Sequence, residues 1–359
     1  MHARSVRSRR QFLTLLGASA SAVGLAGCGA ALAGTPSGGA QTKKLRYQGW
    51  AGQVTLPELA EDLGYLGEVK LEWVGNTISG PQDIQSAATG QTDFGGAFNG
   101  AVVKLAAAHA PIKAVISYYG VDQLVYNGFW VRQDSPIHAA GDLLHAKVGM
   151  NTLGAHDEAM LDIYLDRHGL SASQIAQVEP LALPPVNTEQ ALRQRRIDVG
   201  VLGGILQDKA VAAGGVRQLF SDYQLLGAFS AGTYVMTDRF LKQNPDTAAT
   251  FVTAVAKAIE WTRTTPREAV IARMTAIVRG RGRGEDPAPL AYWKSFGVAE
   301  TGGRITDKEF QLWIDWLTAR GAVAKGAVSA GSLYTNAYNH YTASAPAPTA
   351  TATPTTTKG

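Results

Sequence analysis

The sequence predicts an α/β protein built as two similar lobes, on three observations. Short strand-like runs alternate with single helices, a pattern that pairs strands in parallel through helical crossovers. The 359 residues are enough for about two cores at ~100–200 residues per domain. Asp93-Phe94-Gly95 and Asp198-Val199-Gly200 each end a helix–turn–strand unit, so that one βα design is used twice.

In chain order, Leu45-Arg46-Tyr47 starts a strand and 56–63 reads as a helix stopped by Gly64. Val69 to Val74 alternates with period two, as a strand does. A helix over 81–89 ends at Gly90, Thr92 to Gly95 is a short strand, 102–108 is helical, and 112–118 is an apolar strand. The pattern then recurs, with a strand at 147–150, a helix at 157–167 ended by His168-Gly169, and a strand at 177–183. A helix that Asn187 can cap, with Gln190 three residues on, leads to a strand at 197–201. After Thr233-Tyr234-Val235-Met236 the chain turns helical, with Phe251, Val252, Val255 and Ile259 on one face. Thr265-Pro266-Arg267-Glu268 and Thr306-Asp307-Lys308-Glu309 read as capped helix starts. The second precedes Phe310, Trp313, Ile314 and Leu317 at helical spacing, a core face rather than a cofactor box.

With 45% hydrophobic and 17% charged residues the composition is that of a globular chain. One cysteine excludes a disulfide scaffold, and no apolar run of ~18 follows the N-terminus, which excludes a polytopic membrane protein. The formal charge of +4 comes from Arg4, Arg7, Arg9 and Arg10; without them the chain balances 29 basic against 29 acidic residues. A nucleic-acid partner therefore has no electrostatic support. The tract Arg279-Gly280-Arg281-Gly282-Arg283-Gly284 is read as a mobile surface loop rather than an RNA-binding element.

Residues 1–28 read as a signal peptide. Arg9-Arg10 before Gln11-Phe12-Leu13 resembles a twin-arginine export signal, with ordinary Sec export as the alternative. Leu25-Ala26-Gly27-Cys28 resembles the lipobox of bacterial lipoproteins, which implies lipidation of Cys28, an exported protein and a membrane anchor through lipid only. Residues 29–43 read as a flexible tether and 343–359 as a disordered Pro/Thr/Ala tail.

Several chemistries lack their motif. There is no phosphate-binding Gly-Lys-Ser/Thr loop, no dinucleotide fingerprint and no Gly-x-Ser-x-Gly. His156-Asp157-Glu158 lacks a second histidine at zinc-ligand spacing and fits an acid-rich helix start better. No metal, cofactor or catalytic residue is expected.

Gly80-Pro81-Gln82-Asp83-Ile84-Gln85, Asp93-Phe94-Gly95-Gly96, Pro111-Ile112-Lys113-Ala114-Val115, Gly141-Asp142-Leu143-Leu144 and Lys147-Val148-Gly149 follow one another as they do in a known group. The chain resembles the solute-binding proteins of ABC importers for aliphatic sulfonates, taurine and nitrate, whose superfamily includes thiamine-precursor binders. It departs from them at Arg193-Gln194-Arg195-Arg196 and at Gly203-Gly204. The resemblance implies a periplasmic-binding-protein fold of type II, with two α/β lobes, a ligand cleft and a two-crossover hinge. Lobe 1 would comprise 44–123 and 234–342, and lobe 2 would comprise 124–233. It further implies a monomer that captures a small solute and delivers it to an ABC permease and its ATPase. A thiamine-pyrimidine or other heterocyclic solute is the alternative. A pyrimidine-synthase-like enzyme would need a cysteine-rich iron-binding sequence, and Cys28 is the sole cysteine.

In such sheets ligands sit beyond the carboxyl ends of strands, where helices begin. That rule nominates Gln48, Trp50, Ser79, Gly80, Gln82 and Asn99 in the first lobe. In the second it nominates Asn151, Thr152, Gly154, His156 and Gly203. Free N–H groups at helix starts suit a sulfonate, nitrate or carboxylate.

Overall fold

The computed structural model describes residues 40–342. The leader, Cys28, the tether up to residue 39 and the tail from 343 lie outside the described residues. Gln41 and Thr42, expected to be tether, are fixed: Thr42 N–H donates to Asn244 Oδ1 at 2.9 Å and its carbonyl accepts from Thr247 Oγ1 at 2.7 Å.

The first half runs β1 (Lys44–Gly49), α1 (Leu56–Asp62), β2 (Lys70–Asn76), α2 (Gly80–Ala88), β3 (Gly95–Phe98), α3 (Asn99–Ala107) and β4 (Ile112–Val121). The middle comprises β5 (Asn127–Arg132), β6 (Lys147–Met150), α4 (His156–Arg167), α5 (Ala172–Ile175), β7 (Glu179–Ala182), α6 (Pro185–Arg193), β8 (Val199–Gly203), α7 (Gly204–Ala212), β9 (Val216–Ser221) and α8 (Asp222–Leu226). The chain returns through β10 (Phe229–Thr237) and finishes with α9 (Asp238–Gln243), α10 (Pro245–Thr264), α11 (Arg267–Gly280), α12 (Lys308–Ala319) and α13 (Ala330–Leu333).

Two α/β lobes result. In the first, β1 and β2 pair in parallel, and β3, β10 and β4 form a sheet in that order. The second holds a five-stranded sheet ordered β7-β6-β8-β5-β9. Pairing is not parallel throughout, as the alternation predicted. β10 runs antiparallel to β3 and β4, and β5 runs antiparallel to β8 and β9. Both are strands that enter a sheet directly from the other lobe, so no helical crossover sets their direction.

The repeated Asp-x-Gly has one physical meaning in both lobes. Asp93 N–H donates to the Arg46 carbonyl at 2.9 Å, and its carboxylate accepts the Arg46 N–H at 2.7 Å. Asp198 N–H donates to the Lys147 carbonyl at 2.9 Å and its carboxylate accepts the Lys147 N–H at 2.9 Å. Each aspartate thus stitches the lead-in of one strand to the start of its neighbour. The strands themselves begin later than expected, at Gly95 and Val199, because the aspartates are occupied by this junction.

Some helix starts differ too. Asn187 lies inside α6, whose N-cap is Pro184. Thr265 closes α10 and the N-cap of α11 is Pro266. α12 begins after Asp307 without a side-chain cap, because Glu309 turns inward to accept from Ser117 Oγ at 3.0 Å. Phe310, Trp313, Ile314 and Leu317 are buried as the spacing predicted.

One apolar cluster runs through both lobes. Phe98, Val102, Trp313 and Leu317 belong to it from the first lobe, and Phe129, Met160, Leu161 and Leu165 from the second. A separate core in the first lobe gathers Leu45, Leu59, Phe94, Ile116, Phe251 and Ile259. Among the described residues no helix is long and apolar enough to cross a membrane.

The Arg-Gly tract is not a mobile surface loop. The Arg281 and Arg283 side chains are 9% and 12% exposed, and both donate to Glu58 Oε1, at 3.0 and 3.1 Å. Arg283 also donates to the Tyr47 hydroxyl at 2.9 Å and stacks 4.3 Å from the Trp73 ring. Gly282 and Gly284, at φ 65° and 66°, let the backbone turn so that alternate arginines reach one buried carboxylate.

Candidate functional site

Both lobes contribute to one cavity of about 590 Å³ at the carboxyl ends of their strands. From the first lobe come Trp50, Gln53 and Thr55 after β1, Ser79 to Pro81 at the start of α2, Phe98 after β3, and Tyr118 and Tyr119 near the end of β4. From the second come Asn127, Asn151, Thr152, His156, Asp157 and Asp222.

Local structure fixes these loops. Thr55 caps α1 in a reciprocal box with Glu58: its hydroxyl accepts the Glu58 N–H at 3.3 Å and its N–H donates to Glu58 Oε2 at 2.9 Å. Ser79 caps α2 by accepting the Gln82 N–H at 3.4 Å. α4 begins at His156 with Asp157 and Glu158 in its first turn, the acid-rich start expected there. Glu158 reaches back to accept the Gly154 N–H at 2.6 Å, and Lys104 of α3 donates to the Gly154 carbonyl at 3.0 Å.

The walls are aromatic on one side and acidic on the other. Tyr118 stacks on Tyr234 with centroids 4.1 Å apart, and Tyr119 meets Tyr118 at 4.9 Å edge-on. Burial holds all three phenols above the ordinary tyrosine range, so their hydroxyls stay neutral. Opposite them, His156 Nε2 lies 3.0 Å from Asp222 Oδ2, and Asn127 Nδ2 donates to Asp157 Oδ1 at 2.8 Å. Burial pulls the imidazole down, but the hydrogen bond to Asp222 and the charges of Asp222 and Asp157 together outweigh it, and His156 is raised. Burial raises Asp157 as well, against the opposing pull of His156 and Asn127. Among the described residues no lysine or arginine lines the cavity.

The nominated residues divide. Trp50, Ser79, Gly80, Asn151, Thr152 and His156 line the cavity. Gln48, Gln82, Asn99, Gly154 and Gly203 do not. Gln48 accepts from Ser86 Oγ at 3.3 Å inside the first lobe, and Gln82 is exposed on α2. Asn99 is fully buried, donating to the carbonyls of Ser230 and Glu309 at 3.4 and 3.3 Å. It starts α3 as expected, but α3 packs against α12 there, which turns its first residue into core. Gly154, at φ 67°, shapes the turn behind the loop. A Cβ on Gly203 would stand 2.1 Å from Asn127 Oδ1, so this glycine makes room for a lining side chain. Gly80 likewise serves packing: a Cβ there would meet Ala97 Cα at 2.9 Å.

Tyr118, Tyr119, Asn127, Asp222 and Tyr234 were missed by the strand-end rule. Three sit inside strands rather than in loops, and Asn127 and Asp222 belong to the edges of β5 and α8, which the periodicity did not reveal. The one available signal was Tyr118-Tyr119 closing an otherwise apolar strand.

The family model described as NMT1/THI5 like matches residues 59–269, more than half of the chain. The chain belongs to that family. No curated protein sequence matches it. Among solved structures, the chain is similar to the periplasmic aliphatic sulphonate binding protein SsuA from Escherichia coli at 19% identity and TM-score 0.64, over 88% of this chain and 99% of that one. It is also similar to the periplasmic nitrate-binding protein NrtA from Synechocystis PCC 6803, at 13% identity and TM-score 0.59, over 81% and 85% of the two chains. The desulfurization enzyme DSZB is similar too, at 16% identity and TM-score 0.55, over 82% and 97%. At these identities the likeness is one of fold, that of the periplasmic binding proteins.

Proposed function

We propose that this NMT1/THI5-like protein is the solute-capturing subunit of an ABC importer. It closes its two lobes on a small solute and delivers it to a membrane permease driven by an ATPase. The observation that supports this is a cavity with walls from both lobes. A solute touching both walls binds better when they approach, and this differential affinity shifts the open–closed equilibrium. The sulfonate-binding and nitrate-binding proteins with this fold support the same reading. We read the protein as a binder and not an enzyme, exported and held at the membrane by lipid on Cys28, acting as a monomer. Mass spectrometry of the membrane fraction tests the anchor: a diacylglycerol adduct on Cys28 is expected, and an unmodified thiol overturns it.

Two solute classes compete. A sulfonate, taurine or nitrate would bind at the starts of α2 and α4, which line the cavity with their positive dipole ends. The Tyr118–Tyr234 stack, Trp50 and Phe98, with two carboxylates, His156 paired to one of them and, among the described residues, no lysine or arginine in the lining, favour a flat neutral or protonated heterocycle such as the thiamine pyrimidine. Thermal-shift titration of the purified protein decides between them, since a bound solute raises the melting temperature. An aminopyrimidine is expected to shift melting more than taurine, an alkanesulfonate or nitrate. The reverse order returns the reading to an oxyanion, and a panel with no shift overturns solute capture.

A further inference from the structure

Residues 293–299 run from the end of a 3-10 turn to the approach of α12 and lie across both crossings between the lobes. Gly120, near the end of β4, donates its N–H to the Phe296 carbonyl at 2.8 Å. A Cβ on Gly120 would stand 2.2 Å from the Gly297 carbonyl, so the two backbones touch as only glycines allow. Ser295 Oγ donates to Asp122 Oδ2 at 2.6 Å, just where the chain leaves for the second lobe. At the return crossing, Ala299 N–H donates to Ser230 Oγ at 3.1 Å.

The segment is rooted in the first lobe. Arg267 of α11 donates to the Trp293 and Ala291 carbonyls at 2.7 and 2.6 Å, and Arg263 of α10 donates to the Val298 carbonyl. One ion pair reaches the other way: Lys294 Nζ lies 2.7 Å from Asp208 Oδ1 on α7 of the second lobe. Phe296, in the same segment, lines the cavity.

We propose that residues 293–299 form a strap that clamps the first-lobe ends of both crossings, and that the Lys294–Asp208 pair latches this strap to the second lobe and sets the lobe angle. With Gly120, Asp122 and Ser230 held, bending falls to the links between the ordered elements, 123–126 and 227–228. Gly227, at φ 75°, supplies a backbone free to turn in the second stretch. Lys294 and Asp208 are positioning residues: they act on the cavity by fixing how far its walls stand apart. The inference rests on the two-lobed fold alone, so a failure to find any solute leaves it standing.

Hydrogen exchange of the solute-free full chain, read by mass spectrometry, tests it. Lys294→Met and Asp208→Asn are each expected to speed exchange across 123–126 and 227–228 by about two- to five-fold, the range of a half-exposed ion pair. The reversed pair, Lys294→Asp with Asp208→Lys, is expected to restore the wild-type rate, and 1 M salt to reproduce the single variants in the wild type. Exchange in buried β8 should not change. Unchanged rates at the crossings overturn the latch. So does faster exchange in β8 to the same degree, which signals general loosening. Single-variant effects that add in the reversed pair show that the two residues act separately and also overturn it.

Discussion

Asp93 and Arg46 are joined by two reciprocal bonds from their N–H groups and by two more between their side chains. Beyond the reciprocal N–H bonds, the Arg46 guanidinium donates to Asp93 Oδ1 at 2.7 Å and to Oδ2 at 3.2 Å. Asp198 makes the same backbone exchange with Lys147 but carries no such ion pair to it. Asp93→Ala should therefore cost about 2–3 kcal/mol and Asp198→Ala about 1 kcal/mol, because charge-assisted bonds are the stronger class. Urea denaturation of the two variants checks the order, and equal losses would remove the side-chain pair from the account.

Two buried carboxyls make stability fall with pH. Asp83 is raised by burial to about 7 despite accepting the Gly96 N–H at 2.7 Å, and its Oδ1 has no partner. Glu309 is likewise raised by burial to about 7 despite its bond from Ser117, with Oε1 unpartnered. Their folded values lie above the ordinary 3.8 and 4.5, so their contribution is whole below those values and lost as pH rises through about 7. The raised His156 adds a contribution lost above its own ordinary value of 6.5. Asp83→Asn and Glu309→Gln should each flatten the stability curve between pH 4 and 7 and gain about 1–3 kcal/mol at pH 8. Melting temperatures across that range read the effect; parallel curves for variant and wild type would refute it.

Gly96 sets the aromatic wall. A Cβ there would approach the Tyr118 and Tyr234 rings to 2.8 Å each. Gly96→Ala should part the stacked pair at a cost of about 1–3 kcal/mol. Near-ultraviolet circular dichroism should show the altered tyrosine packing, and the thermal shift from any solute found to bind should shrink. Wild-type spectra and shifts would mean that the wall adapts freely.

Glu58 serves two arginines, so the cluster is asymmetric. Glu58→Ala leaves Arg283 without a carboxylate and removes the return half of the α1 capping box, and should cost about 3–5 kcal/mol as a broken buried pair. Arg283→Met leaves Arg281 on Glu58 and should cost about 1–2 kcal/mol. Denaturant midpoints rank them, and a larger loss for Arg283→Met would overturn the ranking.

The sequence was most legible where a local signal coincides with a local cause. Gly64 and Gly90 do follow α1 and α2, the apolar stripe of α12 is buried, and the echoed Asp-x-Gly marks a real repeated junction. It was least legible where partners are distant. β5 lies in no crossover unit, the direction of β10 depends on where the chain re-enters the first sheet, and Arg281 meets Glu58 from 223 positions away. The site shows the same division. His156, Trp50 and Ser79 could be found from strand ends, whereas Tyr234 and Asp222 become neighbours of the cavity only when the return strand and the last second-lobe helix are placed.

The apolar cluster that joins Phe98 and Trp313 to Met160 and Leu165 gives the two halves a common fate. Neither half can shed its partner without baring the seam, so heating should melt them in one step and a gene cut between them should yield two unfinished fragments. The lobe closure proposed above would thus be a swing about a fused root, never a parting of independent bodies.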